Sequence, residues 1–371
     1  MDKKLKYYDI MEDLRKQIIS GTIKPGEKLP SENELSAEFQ VSRQTVRKAL
    51  QILQNEGYIY AEHGRGTFCS EMMRHTGKSK NIAVVTTYLS DYIFPRVIQG
   101  IDQVLTESGY SIILKNTANS RQKEARCLEE LLKKDIDGLN IEPSKSQIFC
   151  RHIELYQMLD EYQIPYVFIQ GSYDQLKEKP YILMDDCRGG YLVTRHLIEL
   201  GHQNIVGVFK ADDTQGQQRH KGYVQALQES GIPYDPDKVV WFYTEDRKTH
   251  PYEKMKQMAE ERDHLMFDAV VSYNDQIALE VIRALEDTGL NVPEDVSVTG
   301  YDNSYLAESA KIPLTTIAHP QEKLGQMAAE LLLKIIKDGG EKEELHQIVV
   351  EPELIVRDST KKAGGQVSCK K

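Results

Sequence analysis

The sequence predicts an α/β protein in two unequal parts: a small winged helix-turn-helix, then a two-lobed domain of parallel sheets. Three observations predict it. Residues 31–69 carry two short amphipathic segments followed by a glycine-rich hairpin. From Asn81 onward, short apolar runs alternate regularly with amphipathic stretches. Between these textures, residues 71–80 have no sustained apolar period and read as a linker.

In the first part, Ser31 can cap a helix and Glu34 can close a capping box, with Leu35 and Phe39 one turn apart on the inner face. Val41 is expected to break this helix and Ser42 to cap the next. The second helix turns Val46, Ala49, Leu50 and Leu53 inward, which leaves Arg43, Gln44, Thr45 and Arg47 at its outer, N-terminal end. Arg pairs with guanine O6 and N7, Gln with adenine N6 and N7, and Thr suits a phosphate or a thymine methyl. That end of the second helix enters the major groove in helix-turn-helix proteins. Gly57 stops the helix. Tyr58–Ala61 and Thr67–Cys69 then form two strands joined by His63, Gly64, Arg65 and Gly66, a wing whose Arg65 can reach a minor groove.

The motifs Pro-Ser-Glu at 30–32, Ser-Arg-Gln-Thr-Val-Arg at 42–47 and Gly-Arg-Gly-Thr-Phe at 64–68 resemble the winged helix-turn-helix of the GntR family. The resemblance implies operator double-stranded DNA as partner. It places Glu32, Arg43, Gln44, Arg47 and Arg65 at the DNA surface, and Thr45, His63 and Gly66 belong to the same candidate set.

Length and charge agree with this division. At 371 residues the chain is long enough for two or three domains with real cores. Residues 1–80 hold 14 Lys and Arg against 11 Asp and Glu, whereas the remainder holds 33 against 46. Only the front can approach a polyanion without repulsion, and its modest positive charge calls for two heads acting together, so a homodimer is expected. The five cysteines are scattered, with no C-x-x-C pair and no histidine at metal-ligand spacing, which predicts a reducing compartment and no structural metal. No signal peptide or long apolar stretch is present, so a cytoplasmic location without membrane contact is expected.

The larger part is read as residues 81–362, with 363–371 a flexible tail. Nine apolar runs, beginning at Ile82, Ser111, Gly138, Tyr166, Ile182, Ile205, Val239, Ala269 and Val296, are expected as strands. Helical patterns lie between them at 97–107, 124–133, 191–200, 216–229 and 276–286, and another follows at 322–336. Such alternation means parallel sheets covered on both faces, and this many units suit two doubly wound lobes. Ligands bind at the carboxyl edges of such sheets. There the sequence concentrates polar and aromatic residues: Tyr88 to Pro95, Glu142 to Lys145, Lys210 to Gln215, Tyr273 to Asp275, and Tyr301 to Asn303.

The segments at 181–190, 196–202, 219–223, 274–278, 292–302 and 314–317, with Asp137-Gly-Leu, are similar to effector domains of the LacI/GalR family, a periplasmic-binding-protein-like fold. That family normally carries its own helix-turn-helix and hinge helix; a GntR-type head stands in their place here. The fusion, with the segments at 86–95 and 209–216, resembles the arabinose-responsive repressors of bacilli and implies L-arabinose as effector. A neutral sugar needs planar partners for adjacent hydroxyls and an aromatic face for its C–H surface. Glu142, Asn274 and Asp302 can straddle hydroxyl pairs, Lys145 and Arg219 can donate, and Tyr92, Phe94 or Tyr273 can stack; Asp213 and Gln215 complete the set. His319 is equally compatible with a structural role and a ligand contact. Asp212 is expected to cap the following helix, Trp241 to be core or cleft wall, and Glu341 to Glu344 to face solvent. No phosphate-binding loop, nucleophile elbow or zinc-protease motif occurs, so neither an enzyme nor a cofactor is expected.

Overall fold

The computed structural model describes residues 6–19, 22–55, 57–70, 79–89, 92–260, 267–338 and 346–363. Most of the expected linker (71–78), the tail from 364, the acidic run at 341–344 and Cys369 lie outside the described residues.

The head opens with α1 (Lys6–Ile19), which the sequence reading did not anticipate. Its signal is the apolar stripe of Ile10, Leu14 and Ile18, joined by Met11, all buried. Next come α2 (Glu32–Glu38) and α3 (Arg43–Asn55), then β1 (Ile59–Glu62) paired antiparallel with β2 (Gly66–Cys69). The Ser31–Glu34 capping box forms as expected. Val41, however, does not end α2. Phe39 is the cap, and Gln40 reverses the chain with φ of 50°. Val41 instead anchors the turn, its carbonyl accepting from Ser36 Oγ at 2.6 Å and its N–H donating to the Ser36 carbonyl at 3.1 Å. Beyond α3, Gly57 adopts φ of 84°, a conformation that favours glycine after a helix end.

The larger part begins with β3 (Asn81–Thr86), α4 (Phe94–Glu107), β4 (Ser111–Asn116), α5 (Arg121–Leu131), β5 (Gly138–Ile141), α6 (Ile153–Glu161), β6 (Tyr166–Ile169) and β7 (Tyr181–Met184). It continues with α7 (Asp186–Glu199), β8 (Ile205–Lys210), α8 (Thr214–Glu229), β9 (Val239–Phe242), α9 (His250–Glu260), β10 (Ala269–Ser272), α10 (Asp275–Asp287) and β11 (Ser297–Thr299). The chain closes with α11 (Tyr305–Ser309), β12 (Thr316–Ala318), α12 (Gln321–Lys337), β13 (Gln347–Val350) and β14 (Glu353–Ile355).

Two sheets carry the two lobes. One runs β13-β7-β6-β5-β3-β4 and the other β11-β10-β8-β9, with every pairing inside them parallel. All nine expected runs are strands of these sheets. Their central strands are buried on both faces, as β3, β5, β8 and β10 show, because helices cover each side. The chain passes between lobes three times: after β7, between β12 and α12, and between β13 and β14. Each lobe therefore presents the carboxyl edge of its sheet to the other. Both sheets also reverse strand order beside their first strand, β3 or β8, which opens a crevice there.

Candidate functional site

The head presents Arg43, Gln44 and Arg47 on the open side of α3, while Val46, Ala49, Leu50 and Leu53 face the core. Thr45 is half-buried, its Oγ1 2.8 Å from Ser42 Oγ and its N–H donating to the same oxygen at 3.2 Å. Glu32 holds Arg47 as a fork: Arg47 Nε donates to Oε1 at 3.0 Å and Nη2 to Oε2 at 2.8 Å. The guanidinium keeps the Glu32 carboxyl below the usual carboxylate range. In the wing, His63, Gly64, Arg65 and Gly66 are exposed; Arg65 pairs with Glu62 and lies over the Phe68 ring at 5.7 Å. The sequence reading missed Lys28, which joins this surface. A β-carbon at Gly66 would come within 2.6 Å of Lys28 Cε, so the lysine stem rests directly on the wing.

Between the lobes lies a cavity of about 90 Å³. The lobe that carries β3 supplies Tyr88, Tyr92, Phe94, Glu142 and Gln170; the other supplies Lys210, Asp213, Gln215, Arg219, Tyr273, Asn274 and Asp302. Strand ends place nearly all of them. Tyr88 follows β3, Glu142 β5, Gln170 β6, Lys210 β8, Tyr273 β10 and Asp302 β11. Lys210 and Gln170 went unassigned at the sequence level although the same strand-end rule points to them.

Arg219 is the centre of the charged wall. Its Nε donates to Asp186 Oδ1 at 2.8 Å, Nη1 to the Tyr273 carbonyl at 2.6 Å and Nη2 to Asp302 Oδ1 at 3.4 Å. The guanidinium also lies 3.5 Å from the Tyr301 ring centre and 4.8 Å from that of Tyr273. Burial pushes Asp186 up to about 6 in spite of the arginine beside it. Close backbone contact between α7 and α8 sets this geometry. A β-carbon at Gly190 would stand 2.1 Å from the Arg219 carbonyl oxygen, and one at Gly222 would stand 1.9 Å from that of Cys187.

Glu142 faces this wall. Burial raises its carboxyl to about 7, and both of its hydrogen bonds, from Thr87 N at 2.9 Å and Oγ1 at 2.7 Å, fall on Oε2. Oε1 remains for the cavity. Lys210 Nζ lies 2.9 Å from Asp213 Oδ2, which also accepts from Tyr273 OH at 2.7 Å. Gln170 is buried and its Nε2 has no hydrogen-bond partner among the described residues.

Nine of the eleven expected effector residues line the cavity. Two of them are already occupied in part. Asn274 Oδ1 caps α10 through Ile277 N at 3.0 Å, and the Tyr92 hydroxyl donates to the Tyr301 carbonyl at 2.9 Å and accepts from Asp275 N at 3.2 Å, joining the lobes. Lys145 and His319 do not line it. Lys145 Nζ is drawn outward to Asp212 at 3.3 Å and Glu245 at 2.6 Å, beside a second opening at the cleft mouth. His319 lies behind the wall on the second inter-lobe crossing; burial depresses it to about 4, so it is neutral at pH 7 and its Nε2–H donates to Gln170 Oε1 at 3.1 Å. Asp212 does not cap α8 either. Asp213 does so, through Gly216 N at 2.8 Å, while Asp212 accepts from Thr244 N at 3.1 Å. Trp241 packs against His220 with ring centres 4.8 Å apart and planes tilted by 56°, away from the cavity.

The sequence pattern of bacterial regulatory proteins of the gntR family matches residues 6–69, and that of the periplasmic binding protein-like domain matches 194–360. The arabinose metabolism transcriptional repressor of Halalkalibacterium halodurans is 42% identical over 368 residues, covering 96% of this chain and 97% of that protein. The chain belongs to the family of arabinose metabolism transcriptional repressors. A second member, from Geobacillus stearothermophilus, is 39% identical and covers 96% of this repressor and 98% of its own length. Among solved structures, the cellobiose complex of the transcriptional regulator CelR superposes with a TM-score of 0.67 at 26% identity, covering 89% of this chain and all of that one. A LacI family regulator from Enterococcus faecium with bound ribose gives 0.64 at 28% identity, covering 76% of this chain and all of its own. The relatives are regulators, not enzymes. Among the described residues no group of side chains is arranged to hold a metal ion, and no helix is long and apolar enough to cross a membrane.

Proposed function

We propose that the protein represses arabinose-utilisation genes by holding operator DNA as a homodimer, and that L-arabinose in the inter-lobe cavity releases it. The observation that carries this reading is the cavity wall. Buried acids flank a buried arginine, and opposite them stand Glu142, whose hydrogen bonds from Thr87 both fall on Oε2, and Gln170, whose buried Nε2 has no partner among the described residues. Buried polar groups in that state call for a ligand with several hydroxyls. The small volume suits a monosaccharide.

In this reading Glu142, Arg219 and Asp302 take hydroxyl pairs, and Lys210, Gln170, Gln215 and Asn274 complete the hydrogen bonding. Phe94 and Tyr273 close over the C–H face, while Tyr92 positions the lobes. On the head, Arg43, Gln44 and Arg47 read base edges, with Thr45 at a phosphate, and Glu32 holds Arg47 in its outward rotamer. Wing residues His63, Arg65 and Gly66 meet the backbone and minor groove, with Lys28 beside them. Two heads in one dimer suit a pseudo-palindromic site.

Fluorescence anisotropy on a palindromic fragment from an arabinose promoter tests the reading, titrated with L-arabinose and with D-xylose as control. Loss of binding with L-arabinose alone is expected. No response to either sugar would leave the DNA-binding role standing and reject the effector.

A further inference from the structure

Tyr162 belongs to two packed groups at once: the core of the β3 lobe, and the core of the head formed by Ile10, Leu14, Val46, Leu53 and Tyr58. Its hydroxyl is hydrogen-bonded to that of Tyr58. On the head side, Tyr58 is buried and sits at the junction of the recognition helix and the wing. Its N–H donates to the Leu53 carbonyl of α3 at 2.9 Å, and its carbonyl accepts from Ser70 N, just past β2, at 2.9 Å. The Arg15 guanidinium of α1 covers its ring at 5.3 Å. A displacement of Tyr58 therefore changes how α3 and the wing lie relative to each other.

On the lobe side, Tyr162 caps α6, and α6 is fastened to the cavity loop through one buried acid. Glu124 is fully buried and accepts from four groups: the Ser144 backbone N–H, His152 Nε2 at 2.8 Å, Tyr156 OH at 2.7 Å and Tyr173 OH at 3.0 Å. Ser144 lies two residues beyond Glu142 of the cavity, and Tyr156 lies within α6. The loop and the helix thus share an anchor. Neither Glu124 nor Tyr162 lines the cavity.

We propose that Tyr162 and Tyr58 form the joint through which occupation of the cleft reaches the DNA-reading head. The route runs from Glu142 and the loop at 143–152 through the Glu124 anchor to α6. This assignment rests on the sugar reading above. It predicts that the joint can be cut with sugar affinity retained.

The test uses the full chain in three forms: wild type, Tyr162→Ala and Tyr162→Phe. Sugar affinity is read by calorimetry without DNA, operator affinity by anisotropy with and without saturating L-arabinose, and amide hydrogen exchange of residues 57–69 without sugar. In Tyr162→Ala, sugar affinity is expected within about twofold of wild type, while the factor by which sugar weakens operator binding falls at least about fivefold. Exchange in residues 57–69 speeds up in the same variant, because the head loses its support. Tyr162→Phe, which keeps the ring and cannot unfold the lobe by leaving a hole, lies between. A wild-type factor retained in Tyr162→Ala, or unchanged exchange in its head, overturns the joint. A wild type whose operator binding ignores L-arabinose rejects the sugar reading itself, and the route with it.

Discussion

Arg219 shows how tightly one side chain can be tied into the cavity wall. It spends donors on Asp186, Asp302 and a main-chain carbonyl, and it lies over the rings of Tyr273 and Tyr301. Lysine has no planar fork and cannot serve these partners together. Arg219→Lys should leave a buried carboxylate unpaired, cost about 3 kcal/mol of stability and abolish measurable sugar binding, as chemical denaturation and calorimetry would show. Glu142 makes a different prediction. Its carboxyl is raised to about 7 by burial, so between the unfolded value of 4.5 and about 7 the folded protein holds a proton that the unfolded chain has lost. Stability from this group is therefore present below about 4.5 and is lost as pH rises through 7, about 3 kcal/mol in all. Sugar-free Glu142→Gln should show a smaller fall in melting temperature between pH 5 and pH 8 than wild type; Asp275, also raised to about 7, keeps part of the slope. On the head, Arg43→Ala should weaken operator binding by about 1–3 kcal/mol and scrambled DNA much less. Equal loss on both would remove Arg43 from base reading.

At the scale of elements, the close crossing of α7 and α8 carries the site. Gly222 lets the Cys187 carbonyl approach to a distance that any β-carbon would forbid. Gly222→Ala must push the helices apart and carry Arg219 away from Asp186. The expected cost is about 1–3 kcal/mol of stability together with weakened sugar binding, and operator affinity without sugar should be retained. Calorimetry and anisotropy on one preparation separate the two effects. The shorter elements explain what sequence reading could not reach. The periodic helices were legible because their patterns run long enough to repeat, and the nine strands because each is a short apolar run set off by the segments beside it. β13 and β14, at three or four residues each, show no clean alternation, and α11 is barely one turn. The stripe of α1 was legible but lay outside the motif that draws the eye.

For the whole molecule, two sites on one chain impose a symmetry of effect. If L-arabinose weakens operator binding by some factor, operator DNA must weaken sugar binding by the same factor. Calorimetric titration with sugar, with and without a saturating operator fragment, should return the ratio that anisotropy returns in the opposite order. A ratio of one in both titrations would mean that the two sites are not coupled.

Residue type and spacing by themselves determined the winged head, the two-lobed parallel architecture and most of the cavity residues, because capping, helical periodicity and strand-end placement are local properties. Tertiary structure decided which polar side chains remain available. Lys145 carries the right chemistry, yet Asp212 and Glu245, brought across the cleft by folding, take its charge. His319 is likewise turned to Gln170, and Asp213 rather than Asp212 caps α8. A donor can be read from sequence, but its partner is chosen by distance in space, and that becomes known only when the lobes face each other.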